Sequence, residues 1–266
     1  MTDQPPVISL LTDFGLDDEY VGVMKGVIFS GCPQARIVDL CHSIPAQNIA
    51  RAASMLAASY AHFPPGTIHL TVVDPGVGTA RHILVVEADG HLFIAPDNGV
   101  RTPLLRSPSL CACHRLKMPS AEESSATFHG RDIMAPAAAQ LAAGAAPATL
   151  GDKVAPADCL KIKAATAVVT PDGVTGEVSA IDHFGNIATT ISTEHAAAMG
   201  AKARVIIGDT TLERIHRTYG EVAEKEPLAL IDSRGFLEIA VNRGDAAAIL
   251  DCRVGDRVRL LRRGKR

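Results

Sequence analysis

Tryptophan is absent from this 266-residue chain, and aromatic residues make up only 4% of it. Its core must therefore be built mostly from Ala, Val, Leu and Ile, and a hydrophobic content of 47% is ample for that. No apolar run reaches the roughly 18 residues of a membrane-spanning helix without meeting a charge or a turn. A basic stripe is also missing. The formal net charge is -3, with both signs interspersed, which argues against a nucleic-acid surface. The one basic run, residues 259–266, is short and terminal and reads as a solvated tail, with a phosphate or acidic contact as the alternative. The six cysteines (Cys32, Cys41, Cys111, Cys113, Cys159 and Cys252) are scattered and form no small secreted framework. The residues before Val7 do not read as a signal peptide, so none is expected. The usual CxxC spacing of zinc sites is missing, so Cys111-Ala112-Cys113-His114 reads as strand alternation rather than as a metal site. The expectation is a soluble, cytoplasmic protein with no nucleic-acid or membrane partner.

What is present is a regular alternation of elements. Val7–Thr12 is an apolar run that predicts a buried strand. Asp17 and Asp18 read as caps of a helix with Val23, Met24, Val27 and Ile28 at helical spacing, stopped by Gly31-Cys32-Pro33. A strand at Arg36–Cys41, an Ala-rich helix over 48–62 and a strand over 67–73 follow. Strand, helix, strand, helix, strand predicts right-handed βαβ units and a mostly parallel sheet. Asp89-Gly90, between apolar runs over 82–88 and 92–95, signals a hairpin. A strand at Leu110–Leu116, a polar loop over 120–125 and an Ala-rich helix over 132–143 complete this half. Residues 151–165, with Pro156 and alternating Leu160 and Ile162, read as a linker or bridging strand. Beyond it the pattern turns to short strands over 174–181, 187–191, Arg204–Ile207, 228–231, Phe236–Val241 and Arg257–Leu261. Their spacing suggests a small barrel or sandwich. The predicted organisation is an N-terminal α/β domain over 1–155, a linker over 156–168 and a small all-β, barrel-like domain over 169–266.

Several strands end on polar groups: Asp13, Asp74, Asp97, Asn98 and Asp182. Clustered carboxylates can bind a divalent metal, accept from a sugar diol or hold a base in place. Taken singly, Asp89 and Asp97 fit turn chemistry better. Asp74, Arg81 and His129 stand apart, because a permanent cation, a carboxylate and an imidazole together suit the polarisation of water. A buried Asp–Arg pair beside a satisfied core histidine is an equally good reading of the same residues. Gly76-Val77-Gly78 is neither a P-loop nor a dinucleotide fingerprint, since Ala80 and Arg81 follow where those motifs need other residues.

Seven blocks occur in order along the chain. They are Leu11-Thr12-Asp13-Phe14-Gly15, Met24-Lys25-Gly26, Val73-Asp74-Pro75-Gly76-Val77-Gly78-Thr79, Pro96-Asp97-Asn98-Gly99, Thr127-Phe128-His129-Gly130-Arg131-Asp132, Ile181-Asp182-His183-Phe184-Gly185-Asn186 and Ser233-Arg234-Gly235-Phe236. As an ordered set, this resembles the S-adenosylmethionine hydroxide adenosyltransferase family, which is related to the bacterial fluorinase and chlorinase. The resemblance implies that water or hydroxide attacks C5′ of S-adenosylmethionine, releasing adenosine and L-methionine, with no metal and no cofactor beyond the substrate. It also implies a homotrimer whose sites lie between one subunit's N-terminal domain and its neighbour's C-terminal domain.

By that resemblance the catalytic trio is Asp74, Arg81 and His129. Asp13 takes the ribose, while Asp18, Asp182 and Ser233, with Arg234, take the methionine end. Phe128 and Phe184 wall the adenosyl pocket and Asn186 meets the adenine edge. The halogenating relatives carry uncharged residues where Asp74 and His129 stand, and the fluorinase has a long insertion where residues 88–91 here form a tight hairpin. Both differences favour hydroxide over halide. Ala188 replaces an aromatic residue of the fluorinase, which puts adenine stacking from that position in doubt. Three other readings compete: a 5′-halo-adenosine synthase, a metal-dependent phosphohydrolase using Asp13, Asp74, Asp97 and His129, and a module that binds S-adenosylmethionine or adenosine with negligible turnover.

Overall fold

A computed structural model describes residues 4–262 apart from 121, 123, 164, 201 and 202. Residues 263–266 of the basic terminal run, and 121 and 123 of the polar loop, thus lie outside the described residues. The chain divides into two compact units, one ending at Ile162 and one beginning at Lys163.

The first unit holds a seven-stranded sheet of β1 (Val7–Thr12), β2 (Arg36–Cys41), β3 (Ile68–Val72), β4 (Ile83–Ala88), β5 (His91–Pro96), β6 (Leu110–Leu116) and β7 (Gly151–Lys153), in the order β2-β1-β3-β5-β4-β6-β7. The sheet is mixed, which corrects the expectation of a mostly parallel one. β2, β1, β3 and β5 run parallel, whereas β4, β6 and β7 are antiparallel to their neighbours. Part of the reason was already in the sequence. Asp89 and Gly90 both have positive φ, 52° and 77°, as a two-residue hairpin turn requires, and a hairpin reverses the chain. Once β5 joins β3 in parallel, β4 must run the other way.

Helices cover both faces. α1 (Tyr20–Gly31) and α3 (Ala135–Ala142) pack on one side with Ile8, Leu10, Ile68 and Leu70. α2 (Ile49–Ser59) packs on the other with Leu11, Val73, Leu84 and Phe93. Alternate residues of β1 thus serve two cores, which explains its unbroken apolar run. α1 buries Val21, Met24 and Ile28, while Val23 is exposed. Its cap is Glu19, without a side-chain hydrogen bond, so Asp17 and Asp18 do not cap it and lie in the exposed loop before it. A Cβ on Gly31 would come within 2.8 Å of Ala139 Cβ, so glycine lets α1 approach α3 closely. Residues 160–162 are not a strand. They lie along the first unit, where Leu160 N–H donates to Asp97 and Ile162 N–H to Thr102.

The second unit is a nine-stranded sheet of β8 (Val168–Thr170), β9 (Gly173–Ile181), β10 (Ile187–Ser192), β11 (Arg204–Ile207), β12 (Thr210–Leu212), β13 (Ile215–His216), β14 (Pro227–Ile231), β15 (Phe236–Val241) and β16 (Arg257–Leu261). The order β12-β11-β16-β9-β10-β15-β14-β13 wraps nearly into a barrel around Val178, Ile187, Ile239 and Val258, with β8 beside β9. The very short β8, β12 and β13 carry too few residues to show a period of two.

Candidate active site

The parallel half of the first sheet sets the site. Thr12 of β1 lies opposite Val72 of β3, so Asp13 and Asp74 leave neighbouring strands at the same carboxyl edge. Asn98 donates to Val73 O at 2.8 Å and braces that edge. The turn after Asp74 is drawn against residue 126: Gly78 has φ +76°, and a Cβ there would sit 2.4 Å from Ala126 O. Only glycine lets the turn come this close to the segment that leads into 127–130. A π-helical turn, Gly130–Met134, then leads into α3 directly after His129.

Asp13, Phe14, Tyr20, Gln47, Val72, Asp74, Val77, Thr127, Phe128 and His129 line a cleft of about 390 Å³. Phe14, Tyr20 and Phe128 form a ring cluster with centroids 5.2–5.9 Å apart. Arg131 lies over Phe128, 5.0 Å from its centroid. The half-buried Asp13 carboxylate accepts the Gln47 N–H at 2.7 Å.

Asp74, Arg81 and His129 form one connected unit. Arg81 Nε donates to both Asp74 oxygens at 3.0 and 2.9 Å, and Nη2 reaches Oδ2 at 2.5 Å. The same Nη2 lies 2.8 Å from His129 Nδ1. A guanidinium only donates, so Nδ1 must accept and the neutral imidazole carries its hydrogen on Nε2. Burial, then the Arg81 charge, push the His129 pKa down, against a smaller pull from Asp74 and Asp132. Asp74 and Arg81 side chains are only 6% and 8% exposed, and Arg81 Nη1 is a buried donor with no hydrogen-bond partner among the described residues. The His129 Nε2 hydrogen, on the ring edge turned away from Arg81, is left to donate to the oxygen of a small polar molecule.

Asp97 belongs to another network. It accepts from the buried Arg101 at 3.2 Å and from Leu160 N–H at 3.0 Å. Asp89 accepts from Tyr60 and Ser107. The four-residue metal set Asp13, Asp74, Asp97 and His129 is therefore not assembled. Among the described residues, no group of three or more His, Cys, Asp or Glu is placed to hold a metal ion.

The second unit has its own cleft of about 420 Å³, lined by Asp182, Arg217, Tyr219, Asp232, Ser233, Arg234 and Glu238 among others. Two neighbouring hairpins repeat one turn. Asp182 accepts from Phe184 N–H and Asn186 N–H, and Asp232 accepts from Arg234 N–H and Phe236 N–H, each three residues before a glycine with positive φ. Asn186 Nδ2 also donates to Asp182, at 3.1 Å. Arg234 is held by Asp232 at 2.8 and 2.7 Å. Glu238 is buried and accepts from Tyr219 at 2.7 Å. Burial first pushes the Glu238 pKa up, and burial followed by Glu238 pushes Tyr219 up to about 12.

Residues 8–151 match the model for the SAM hydroxide adenosyltransferase N-terminal domain, and residues 176–259 match the model for the corresponding C-terminal domain. The chain belongs to the SAM hydroxide adenosyltransferase family. A relative from Thermus thermophilus, named (R)-S-adenosyl-L-methionine hydrolase, is 40% identical and is aligned over 96% of this chain and 99% of its own. One of the same name from Salinispora tropica is 38% identical over 96% and 97%. A protein named fluorinase, from Actinopolyspora mzabensis, is 28% identical over 97% of each chain. An uncharacterized conserved protein from Thermotoga maritima, known from its crystal structure, superposes with a TM-score of 0.88 at 36% identity, over 96% of this chain and all of that one.

Within this family member, the first cleft gathers Asp13, Asp74, Phe128 and His129, with Arg81 bonded to two of them. The second gathers Asp182, Ser233 and Arg234. Asp18 is exposed and lines neither cleft, nor does Asn186, and Phe184 is 72% exposed. Sequence reading missed Tyr20, Gln47, Asp232, Tyr219 and Glu238. Asp232 had a visible signal, since its Asp-x-x-Gly repeats that of Asp182. Glu238 had a weaker one, a lone charge inside an apolar strand.

Proposed function

We propose that this protein hydrolyses S-adenosylmethionine to adenosine and L-methionine by attack of water at C5′. The observation that carries this reading is the buried chain Asp74–Arg81–His129 at one wall of the first cleft. With His129 Nδ1 committed to Arg81, the hydrogen on His129 Nε2 is the donor for the oxygen of the attacking water. Asp74 is then the acceptor for its proton. A fixed guanidinium charge offsets part of the cost of making hydroxide, since bulk water has a pKa of about 15.7. The leaving group departs as a neutral thioether, so opposite charges cancel on the way to the transition state. That chemistry asks for no metal or cofactor.

The nucleoside end is assigned to the first cleft. Asp13 receives the ribose hydroxyls, and Phe14, Tyr20 and Phe128 give the apolar wall. The methionine end is assigned to Asp182, Ser233 and Arg234, with Asp18, Phe184 and Asn186 as further contacts. A homotrimer whose sites join one subunit's first unit to its neighbour's second unit is part of the proposal. The exposed Phe184 ring supports it, as a surface that an assembly would cover. Cytoplasmic placement is proposed from the scattered cysteines. The halogenation reading loses support from the charged trio. The test is product analysis: chelator-treated protein given S-adenosylmethionine should release adenosine and methionine in equal amounts. Binding without product over many hours would favour a binding module.

A further inference from the structure

Behind Asp13 lies a second hydrogen-bonded chain that the trio does not use. His42 follows β2 and is 4% exposed, yet it faces the end of β1. Its Nδ1 lies 2.9 Å from Thr12 Oγ1, and Thr12 Oγ1 also accepts the Phe14 N–H at 3.3 Å. The His42 carbonyl accepts the Gly15 N–H at 2.8 Å. On its outer side Nε2 lies 3.0 Å from Asp39 Oδ1, close but without good hydrogen-bond alignment. Asp39 in turn accepts from Lys25 at 2.6 Å.

These contacts fix directions. A carboxylate facing Nε2 favours a hydrogen on that nitrogen. Nδ1 is then the acceptor of the Thr12 hydroxyl hydrogen, and the Thr12 oxygen is free to accept from Phe14 N–H. Every group in the chain has one consistent role. The residues held are the two that frame Asp13: Thr12 before it and Phe14 after it. The same loop beyond β2 supplies the Gln47 N–H that binds Asp13 at 2.7 Å. The carboxylate is thus clamped from one loop at three points, and only one of them touches it directly.

We infer that His42, acting through Thr12, is a positioning residue that holds the Asp13–Phe14 segment in its nucleoside-binding conformation. It touches no substrate. This rests on the proposed role of Asp13 in binding the nucleoside.

The test uses two amides as partial mimics of the imidazole. His42→Asn places an amide oxygen near the Nδ1 position and keeps the acceptor for Thr12. His42→Gln places its amide near Nε2 and loses that acceptor. Expected are a KM for S-adenosylmethionine and a Kd for adenosine within about threefold of wild type in His42→Asn, and both raised about tenfold in His42→Gln, with kcat within about threefold in each. Thr12→Val, which removes the hydroxyl at similar volume, should reproduce the His42→Gln effect, and Thr12→Ser should reverse it. These variants keep the inference testable should a His42 variant fail to fold. Wild-type KM in Thr12→Val, or equal damage in His42→Asn and His42→Gln, overturns the inference. Asp13→Ala separates the two levels. If it leaves the adenosine Kd unchanged, the assignment of Asp13 itself fails. If it weakens binding while the Thr12 and His42 variants do not, only the clamp fails.

Discussion

Replacing Arg81 by Lys keeps the positive charge and removes the fork. In the native site Nε spans both Asp74 oxygens while Nη2 reaches Asp74 and His129 at 2.5 and 2.8 Å. A single ammonium can replace some of these contacts but not the fixed planar set. The loss is about one charge-assisted hydrogen bond, roughly 1.5–3 kcal/mol. If the bond matters equally in ground and transition states, the cost appears as stability, and a Tm fall of about 4–8 °C is expected for a loss of about 2 kcal/mol in a chain of this size. If it sharpens in the transition state, kcat falls about 10- to 100-fold with it. S-adenosylmethionine affinity should change less than about threefold, because Arg81 acts on the water. Adenosine release under saturating substrate, calorimetric affinity and thermal unfolding together decide this. A variant with kcat within about twofold of wild type would refute the idea that Arg81 geometry organises the nucleophile. Arg81→Ala is the harsher companion. It strands a carboxylate that is 6% exposed, so a loss of about 3–5 kcal/mol is expected.

Four further outcomes follow from the same contacts. Asp74→Ala and His129→Ala should abolish turnover while leaving S-adenosylmethionine affinity within about tenfold, as calorimetry against product assays can show. The acid limb of the kcat profile should lie below the ordinary histidine pKa of about 6.5, because burial and Arg81 keep His129 neutral to lower pH. The buried His69, bonded to Ser9 at 2.7 Å and near His91 at 3.2 Å, has its pKa pushed down to about 3. The unfolded chain therefore takes up that proton first as pH falls below about 6.5, and stability is lost progressively toward pH 3. His69→Gln should flatten that part of the urea-stability profile relative to wild type. Finally, Gly78→Ala should cost about 2 kcal/mol or more, since φ is +76° and Ala126 O stands in the way. It should also reduce turnover by shifting His129, which a crystal structure or kinetics can check.

Much of the site was legible because strand ends carry it. The buried runs that end at Asp13 and Asp74 showed where two parallel strands would deliver carboxylates, and the Gly-rich turn after Asp74 carried Arg81 back toward it. His129 was legible only as a chemical partner, since no periodicity links residue 129 to residue 74. Three features were hidden, wholly or in part, by their own physics. The antiparallel half of the first sheet follows from a two-residue turn whose consequence depends on which strand β5 joins, and that choice is made by tertiary packing. The Asp17–Asp18 cap failed because α1 begins at Tyr20, whose ring packs 5.4 Å from Phe14 and 5.2 Å from Phe128. The Tyr219–Glu238 pair was not legible as a pair, because the two meet only when the second sheet curls, which buries Glu238 and leaves Tyr219 42% exposed.

The most direct test of the account uses water enriched in oxygen-18. Chelator-treated protein is incubated with S-adenosylmethionine, and the nucleoside product is analysed by mass spectrometry. Adenosine carrying the heavy oxygen at C5′, formed in wild type and absent in Asp74→Ala, is the predicted result. Adenosine without the label, no adenosine at all, or activity that returns only with added metal would contradict direct attack by a water held at Asp74, Arg81 and His129.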